Sequence, residues 1–218
     1  MRKINYPSVH LGSGTLLCLA CLLLGGCSVL QAAKPANMTS YALDVQFESA
    51  AAEMGKVTLL VNAPNAQPGF NSPRMVYIKR AHEIDYFSQS QWVDNPARML
   101  TPLLVQALAH SAKYRAVVQM RNSAKADIRL DTEIIRFQHE FLTLPSQVHL
   151  TIRAQLLDVH EQSVIATREF DVMEKAPEDT PYGGVIASNR AVKTILLQIA
   201  DFCAQEIKSV ERYNASKQ

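Results

Sequence analysis

The sequence predicts an α/β protein of the α+β kind, in which a mixed β-sheet of about seven or eight strands carries two main helices in a single domain. Most of the chain after residue 38 consists of short segments in which apolar and polar residues alternate, as they do along half-buried strands. Two segments, one in the middle and one at the C-terminal end, instead repeat apolar residues every three or four positions, as amphipathic helices do. A chain of 218 residues, 48% of them hydrophobic, is also long enough to bury one core.

Four strands are predicted before the first helix. They cover residues 41–45, 56–62, 75–80 and 84–88. Because the last two alternate on either side of Ala81 and His82, we expect them to form a β-hairpin that turns there. Residues 63–73 contain three prolines and a glycine, which predicts a loop between the second strand and the hairpin.

The first helix is predicted to begin at Asn95, a good N-cap residue, with Pro96 in the first helical position. Its buried face repeats at helical spacing and consists of Leu100, Leu103, Leu104, Ala107 and Leu108. Pro102 conflicts with this pattern, because proline lacks the N–H that would bond the carbonyl of Arg98. We interpret the segment as one kinked helix; the alternative is a turn followed by a helix that Thr101 caps.

Four further strands and a long helix are predicted in the second half. The strands cover residues 114–120, 126–141, 147–159 and 163–172, with a turn at 160–162. In the second of these strands the apolar positions shift register near Ile135, which predicts a β-bulge. An acidic loop rich in proline and glycine is expected at 174–184, and a helix at about 186–211. The apolar stripe of that helix consists of Val192, Ile195, Leu196, Ile199, Phe202, Cys203, Ile207 and Val210.

The first 26 residues have the organisation of an export signal. Arg2 and Lys3 give a positive start, and residues 15–26 form an apolar run. That run is too short to cross a bilayer, which takes about 20 apolar residues. Its end, the sequence LGGC up to Cys27, resembles the lipobox of bacterial lipoproteins. The resemblance implies cleavage before Cys27 and attachment of a diacylglycerol and an acyl chain such as palmitate to it; an ordinary secretory signal that ends in cysteine is the alternative.

Residues 27–38 are then the lipidated N-terminus and a short, small-residue tether, and residues 39–218 are the folded domain. Three acyl chains would hold the protein firmly on a membrane, since one chain alone binds only marginally. Ser28 favours the outer membrane, because in enteric lipoproteins an aspartate at that position favours retention in the inner membrane.

Charge and cysteine content argue against a nucleic-acid-binding role and against an intramolecular disulfide. Removal of residues 1–26 would leave 20 basic and 20 acidic residues, so a nucleic-acid binder with a basic face is not expected. Besides Cys27 the mature chain would keep only Cys203, which leaves no intramolecular disulfide. The place of Cys203 on the apolar stripe of the last helix predicts a core residue; a reactive thiol is the alternative.

Established catalytic motifs are missing from the sequence. It contains no phosphate-binding glycine loop, no GxSxG elbow and no HExxH zinc motif. The histidines after the signal fall in predicted turns, strands and a helix end, where surface or structural roles are expected. Asp127, Asp131 and Glu133 alternate with apolar residues, as on the solvated face of a strand; a pair of catalytic carboxylates is the alternative. The sequence therefore predicts no enzyme, no cofactor and no metal site.

Residues 77–108 carry a more specific resemblance. Their sequence, YIKRAHEIDYFSQSQWVDNPARMLTPLLVQAL, is similar to the ABC-type transport auxiliary lipoproteins, the PqiC-like family. The matching positions are Tyr86, Trp92, Pro96, Ala97, Arg98, Met99 and Leu100. The lipobox, the tether and the long final helix also fit, whereas Pro102 and the turn at 158–164, which lacks a glycine, depart from the pattern.

The resemblance implies a non-catalytic lipoprotein, anchored in the cell outer membrane and facing the periplasm. It implies an MCE-domain protein as partner and, through it, an ABC transporter. Such systems move lipids between the inner and outer membranes and contribute to membrane integrity. No cofactor is implied, and homo-oligomerisation is left open. A stand-alone envelope-integrity lipoprotein that binds cell wall or other outer-membrane components is the alternative, and an unrecognised hydrolase is a third hypothesis.

Trp92, Arg98 and nearby Tyr86 are the candidate partner-binding residues, because aromatic residues and arginine are enriched at binding hot spots. A structural role is the alternative. In that interpretation Trp92 covers the core, the residues after it begin the helix, and Arg98 pairs with a carboxylate such as Asp94.

Overall fold

The structure is a computed structural model that describes residues 37–48, 55–111, 113–119 and 125–216. The predicted signal, Cys27 and most of the predicted tether lie outside the described residues. In the described part of the chain, nine strands and two helices follow one another. They are β1 (Thr39–Tyr41), β2 (Thr58–Val61), β3 (Asn65–Ala66), β4 (Arg74–Ile78), β5 (Asp85–Trp92), α1 (Pro96–His110), β6 (Ala116–Gln119), β7 (Ile128–Glu140), β8 (Gln147–Asp158), β9 (Ser163–Lys175) and α2 (Pro181–Ser216).

The sheet is organised around β7, a strand of 13 residues. On one side β7 pairs antiparallel with β8, which in turn pairs with β9. On the other side the short strands β2, β3 and β4 lie in series along β7, all parallel to it. β6 flanks β2, β5 flanks β4, and β1 lies beyond β5. The fold class is as predicted, a mixed sheet with two helices packed on it, although the sheet has more strands than expected.

One face of the sheet is apolar and covered by the helices. α2 packs on β8 and β9, and α1 packs on α2 and β6. The alternating core side chains of β8 are Val148, Leu150, Ile152, Ala154 and Leu156, all of them buried. The predicted apolar faces of both helices are buried as well, except that Val210 near the end of α2 is half-buried. The periodicity in the sequence therefore identified the core correctly.

The predicted β-bulge in β7 is present. The register of β7 against β8 shifts between Ile134 and Arg136, so that Ile135 is an extra residue. Because side chains alternate between the two faces of a sheet, the extra residue reverses the alternation. After it, Phe137 and His139 are the side chains buried against the helices.

α1 is a single helix with Pro102 inside it. The side chain of Asn95 caps it by accepting the N–H of Ala97 at 2.9 Å, with Pro96 in the first turn. The Thr101 hydroxyl donates to the Ala97 carbonyl at 2.9 Å instead of capping a second helix. The interpretation as one element is confirmed, and the alternative of a turn before a shorter helix is wrong.

The first predicted strand is displaced. A strand is expected at residues 41–45, whereas the observed strand β1 covers Thr39–Tyr41 and ends where the predicted strand begins. Leu43 and Val45 are buried as their alternation suggests, but they lie outside the sheet. The N–H of Asp44 donates to Asn189 Oδ1 of α2 at 2.7 Å, so a side chain of the helix takes the place of a strand partner.

Two predicted loops are shorter than expected. The predicted loop at 63–73 contains the short strand β3. The predicted loop at 174–184 overlaps the end of β9, which extends to Lys175, and the start of α2 at Pro181. α2 begins at Pro181, and the hydroxyl of Thr180 accepts the N–H of Gly183 at 3.0 Å, which caps the helix. Proline and glycine in this segment therefore mark a helix start.

Cys203 is fully buried on α2, and burial raises the pKa of its thiol to about 12. Because the thiolate is the reactive form, the folded protein, produced without Cys27, should react with a thiol reagent at least about 100-fold more slowly than the unfolded protein. Leu197→Cys in a Cys203→Ala background is the matched control, since Leu197 is 45% exposed on the same helix. The control should label rapidly in the folded state, and equal rates at the two positions would show that this face of α2 is open.

Candidate functional site

The segment WVDNPARML joins the sheet to α1. The N–H of Trp92 donates to the Pro73 carbonyl at 2.7 Å, and the N–H of Val93 donates to the Tyr41 carbonyl of β1 at 2.7 Å. The Trp92 ring is 4% exposed and stacks on Phe137 of β7, with 5.4 Å between the ring centroids. In this fold the indole covers the core, as in the structural alternative, and its side chain is not accessible to a partner.

Arg98 is the exposed residue of the same segment. Its guanidinium lies 2.8 Å from Oδ1 of Asp94, four residues earlier and just before the helix, and Asp94 also accepts the N–H of Asn95 at 2.7 Å. The Arg98 side chain is nevertheless 73% exposed, and an exposed ion pair contributes at most about 1 kcal/mol to stability. The pair with Asp94 agrees with the structural alternative, while the exposure keeps Arg98 available to a partner.

Tyr86 lies elsewhere, on β5. Its ring is half-buried under the guanidinium of Arg74, which lies 3.5 Å from the ring centroid. Tyr86 lines a cleft of about 340 Å³ that Arg98 does not line. The other aromatic residues that line this cleft are Tyr77, Phe87 and Phe141. The three residues singled out from the sequence therefore do not form one patch: one is in the core and two are at separate openings.

A larger cavity of about 770 Å³ opens beside Arg98, and we refer to it as the notch. The residues that line the notch come from four stretches of chain. They are Val61 at the end of β2 with Asn62, Ala63 and Asn65 up to the start of β3; Arg98, Thr101 and Pro102 of α1; Gln119 of β6; and Asp131 and Thr132 of β7. Its volume is in the range of pockets that bind small ligands.

The notch forms where β2 stops and β3 begins. Val61 pairs with Leu130 of β7, whereas Asn65 pairs with Glu133, so the edge chain has one residue more than β7 between these points. Pro64 lies within this bulge, and proline cannot donate a hydrogen bond to a neighbouring strand. The bulge and the proline together interrupt the edge of the sheet beside the middle of β7.

The outer side of residues 62–66 follows the last described pair of β2 and β6. β6, which flanks β2, is described as far as Gln119, opposite Val61. In the described part of the chain no strand continues beside 62–66, and the first half of α1 forms the opposite wall of the notch.

Two buried polar atoms of the notch, Asn62 Oδ1 and Thr132 Oγ1, have no hydrogen-bond partner among the described residues. Asn62 Nδ2 donates to Asp131, and because a carboxylate only accepts, this contact leaves the amide oxygen as the unpaired atom. Thr132 is 5% exposed, and leaving a buried polar group unpaired costs about 1–3 kcal/mol. Sequence periodicity places Thr132 on the apolar face of β7 and gives no sign of this unpaired hydroxyl.

A cluster of serine, histidine and aspartate lies near the start of α2. His139 Nε2 is 2.8 Å from Ser146 Oγ, and Asp179 accepts the N–H of Ser146 at 2.7 Å. In a hydrolase triad the carboxylate orients the histidine, but here Asp179 binds the serine. Ser146 is fully buried, and His139 Nδ1 has no partner among the described residues. This geometry holds β7 to the loop before α2 and does not present a nucleophile to a substrate.

Gly184 allows α2 to approach this cluster closely. A Cβ atom on Gly184 would lie 2.5 Å from His139 Nδ1, closer than a side chain can come to a buried ring. The glycine that suggests a loop in the sequence therefore serves the packing of α2 on β7.

The acidic residues singled out around β7 each pair with an arginine. The nitrogen–oxygen distances are 3.4 Å for Arg115–Asp127, 3.1 Å for Arg129–Asp131 and 3.1 Å for Arg153–Glu133. All three carboxylates are partly exposed, as expected for the solvated face of the sheet. Within the described residues no group of three or more histidine, cysteine, aspartate or glutamate side chains is arranged to hold a metal ion. Neither described helix has the combination of length and apolar content that a membrane crossing requires.

Comparison with known families identifies the chain. Residues 41–200 match a family model described as ABC-type transport auxiliary lipoprotein component. The chain belongs to this family. The resemblance carried by residues 77–108 is thereby confirmed, and the matched range contains both the notch and the aromatic cleft.

Solved structures share the fold of this family member. Protein XCC0632 from Xanthomonas campestris is 22% identical with a TM-score of 0.73, and the match covers 80% of this chain and 99% of that one. A crystal structure of an uncharacterized protein is 16% identical with a TM-score of 0.60, covering 78% of this chain and 99% of that one. At these identities the likeness shows the fold alone. A comparison with curated proteins finds no significant match.

Burial lowers the pKa of His139 from its ordinary value of 6.5 to about 4. Between these two pH values the unfolded chain binds a proton that the folded protein does not, so the free energy of unfolding should fall as the pH drops from about 6.5 to about 4. The contribution of this one residue is roughly 3 kcal/mol. Denaturant unfolding at several pH values should give a flatter profile for His139→Gln than for the parent protein. If the free energy of unfolding depends on pH in the same way in His139→Gln as in the parent protein, other groups are responsible for that dependence.

Proposed function

We propose that this protein is a non-catalytic subunit of an ABC-type transport system in which an MCE-domain partner passes lipids between the inner and outer membranes. It is anchored through lipid on Cys27 in the cell outer membrane, faces the periplasm and contributes to membrane integrity. The match of residues 41–200 to the auxiliary lipoprotein family carries the proposal. The use of the serine, histidine and carboxylate groups in internal contacts supports a binding role over a catalytic one.

Arg98 is the proposed main contact to the MCE-domain partner. It is a well-exposed cation on a helix whose start is fixed by the Asn95 cap, and it stands at the rim of the notch. Arginine on a rigid element is the kind of residue that contributes strongly to protein interfaces. Tyr86 is a second proposed contact, through the separate aromatic cleft, and Trp92 acts indirectly by holding β5 and the start of α1 against β7.

Arg98→Glu should abolish binding of the MCE-domain partner and leave the melting temperature nearly unchanged. The stability effect is small because the residue is exposed, where substitutions usually change stability by about 0.5 kcal/mol or less. Arg80→Glu is a matched control, since Arg80 is 82% exposed and also pairs with a nearby carboxylate, that of Glu83 at 3.3 Å. The measurement is capture of the purified MCE-domain protein by each variant, with thermal unfolding in parallel. Unchanged capture by a stable Arg98→Glu variant would remove Arg98 from the interface.

Cys27→Ser should abolish lipidation and leave the precursor uncleaved. Cells fed with radiolabelled palmitate should label the parent protein and not the variant. The parent should also fractionate with the outer membrane. Cys203→Ser is the control, because a buried core cysteine has no part in anchoring and its loss should leave the label in place. Equal labelling of the Cys27→Ser variant would contradict the lipobox interpretation.

A further inference from the structure

We infer that one end of the domain contacts the membrane surface directly. This end, which we call the loop end, consists of two loops, residues 79–84 after β4 and residues 141–146 after β7. Leu142 and Leu144 of the second loop insert among the lipids. The inference deepens the proposed function and rests on it, because it takes the protein to be held at a membrane through Cys27.

The two loops lie side by side because of the sheet topology. β4 and β7 are parallel neighbours, so their C-terminal ends meet at the same end of the sheet. The N–H of Phe141 donates to the Ile78 carbonyl at 2.8 Å, which joins the two strands where the loops begin. The turn between β8 and β9, at residues 159–162, lies at the opposite end of those strands, roughly 35 Å away at about 3.3 Å per residue.

The second loop presents two large apolar side chains to solvent. Leu144 is 77% exposed, the highest value among the large hydrophobic residues that the structure describes as exposed, and Leu142 is exposed as well. Such side chains gain free energy on leaving water, in proportion to the apolar area that is removed from it. A short loop that carries two leucines at the end of a rigid strand can therefore enter the outer part of a hydrocarbon layer.

The residues beside the leucines are typical of a membrane interface. The rings of Phe141 and Tyr77 meet edge to face, with 6.2 Å between their centroids, and the Lys79 ammonium lies 5.1 Å from the Tyr77 centroid. Tyrosine and lysine carry a polar group at the end of an apolar body, so they settle at the level of the lipid headgroups. Protein interfaces have a different composition, since lysine is depleted there and leucine is under-represented among hot-spot residues. The composition of the loop end therefore favours a lipid surface over a protein partner.

Electrostatic attraction is not the basis of this contact. The two cations of the first loop, Lys79 and Arg80, are followed by the carboxylates of Glu83 and Asp85. Arg80 also pairs directly with Glu83 at 3.3 Å. Because these formal charges cancel, the contact should depend little on anionic lipid or on salt concentration.

The position of β1 supports the same end. β1 pairs parallel with β5, with Thr39 opposite Ser90, and both strands run away from the loop end. β4, which carries β5 and β1 beside it, pairs only with the last residues of β7, so the start of β1 is nearer to the loop end than to the opposite end of β7. Met38 follows Cys27 by eleven residues, which span at most about 40 Å. The covalent link to the lipid anchor thus joins the domain on the side of the loop end.

The first test measures whether the loop end enters a bilayer. The lipidated protein, with Leu144→Cys in a Cys203→Ala background, carries an environment-sensitive fluorophore and is placed in phosphatidylethanolamine vesicles that contain a lipid with a nitroxide on its acyl chain. Its emission should shift to the blue and be quenched, and added phosphatidylglycerol should change neither effect. Val164→Cys is the matched control, because Val164 is 54% exposed beside the turn at the opposite end, and its probe should stay unquenched. An unquenched probe at position 144, or equal quenching at both positions, would overturn the inference.

The second test removes the leucines and leaves the fold intact. A fluorophore at Ala81→Cys, on the other loop, should be quenched by a lipid with a nitroxide on its headgroup. Leu142→Ser combined with Leu144→Ser should abolish this quenching and leave the melting temperature nearly unchanged, since both side chains are exposed. Val159→Ser combined with Val164→Ser also removes two exposed aliphatic side chains and should keep the quenching. If the double leucine variant is quenched like the parent, the leucines do not insert and the inference is wrong.

A third arm separates this inference from the proposed function. The chain from Ser28 onward, held on nickel-chelating lipid by an N-terminal histidine tag, needs no lipidation. If Cys27 takes up no palmitate but the probe at position 144 of the tagged chain is quenched, the proposed anchor falls and the contact stands. If palmitate is incorporated but the probe stays in water, the contact is overturned and the proposed function stands. A probe that responds to the MCE-domain protein, or to the concentration of this protein, instead of to the nitroxide lipid would show a protein interface and also overturn the inference.

Discussion

The extra residue in β7 decides which side chains of the central strand face the helices. If the alternation continued past Ile134, the charged Arg136 would enter the core; Ile135 shifts the register, and Phe137 and His139 enter instead. Phe137 supports Trp92, at the junction from which α1 begins, and His139 meets Gly184 in the first turn of α2. The starts of both helices therefore depend on one inserted residue, because each rests on a side chain that the bulge has brought to the apolar face.

The other bulge, between β2 and β3, has the opposite effect. It leaves the sheet incomplete beside the middle of β7, where neither a flanking strand among the described residues nor the start of α1 closes the space. The two irregularities lie on the two sides of the same strand and divide its length: the part beyond Ile135 anchors the fold, and the part before it borders the notch. Because β7 also pairs along its length with β8, one wall of the notch is a strand that is held by pairing on its other side.

Local patterns in the sequence predicted the parts of the fold that local forces determine. The apolar stripe around Leu104, the cap at Asn95 and the hairpin after Ile78 all follow from residues close together in the chain, and all three are present. β3 could not be predicted, since a strand of two residues is defined by its pairing with β7 and not by a pattern of its own. The candidate surface of Tyr86, Trp92 and Arg98 was inferred from nearness in sequence. In the fold, Trp92 lies in the core, Tyr86 lines the aromatic cleft and Arg98 lines the notch. The notch combines residues from four separate stretches of chain, so it could not be predicted from the pattern of any one of them.

Thr132 is a buried polar residue that the packing of the core does not explain. It lies on the core face of β7 opposite Ala154, where a valine has almost the same shape and an equal preference for a strand. In the free protein the threonine hydroxyl contributes no hydrogen bond to any described residue, so it lowers stability relative to valine. Packing therefore gives no reason for a threonine at this position.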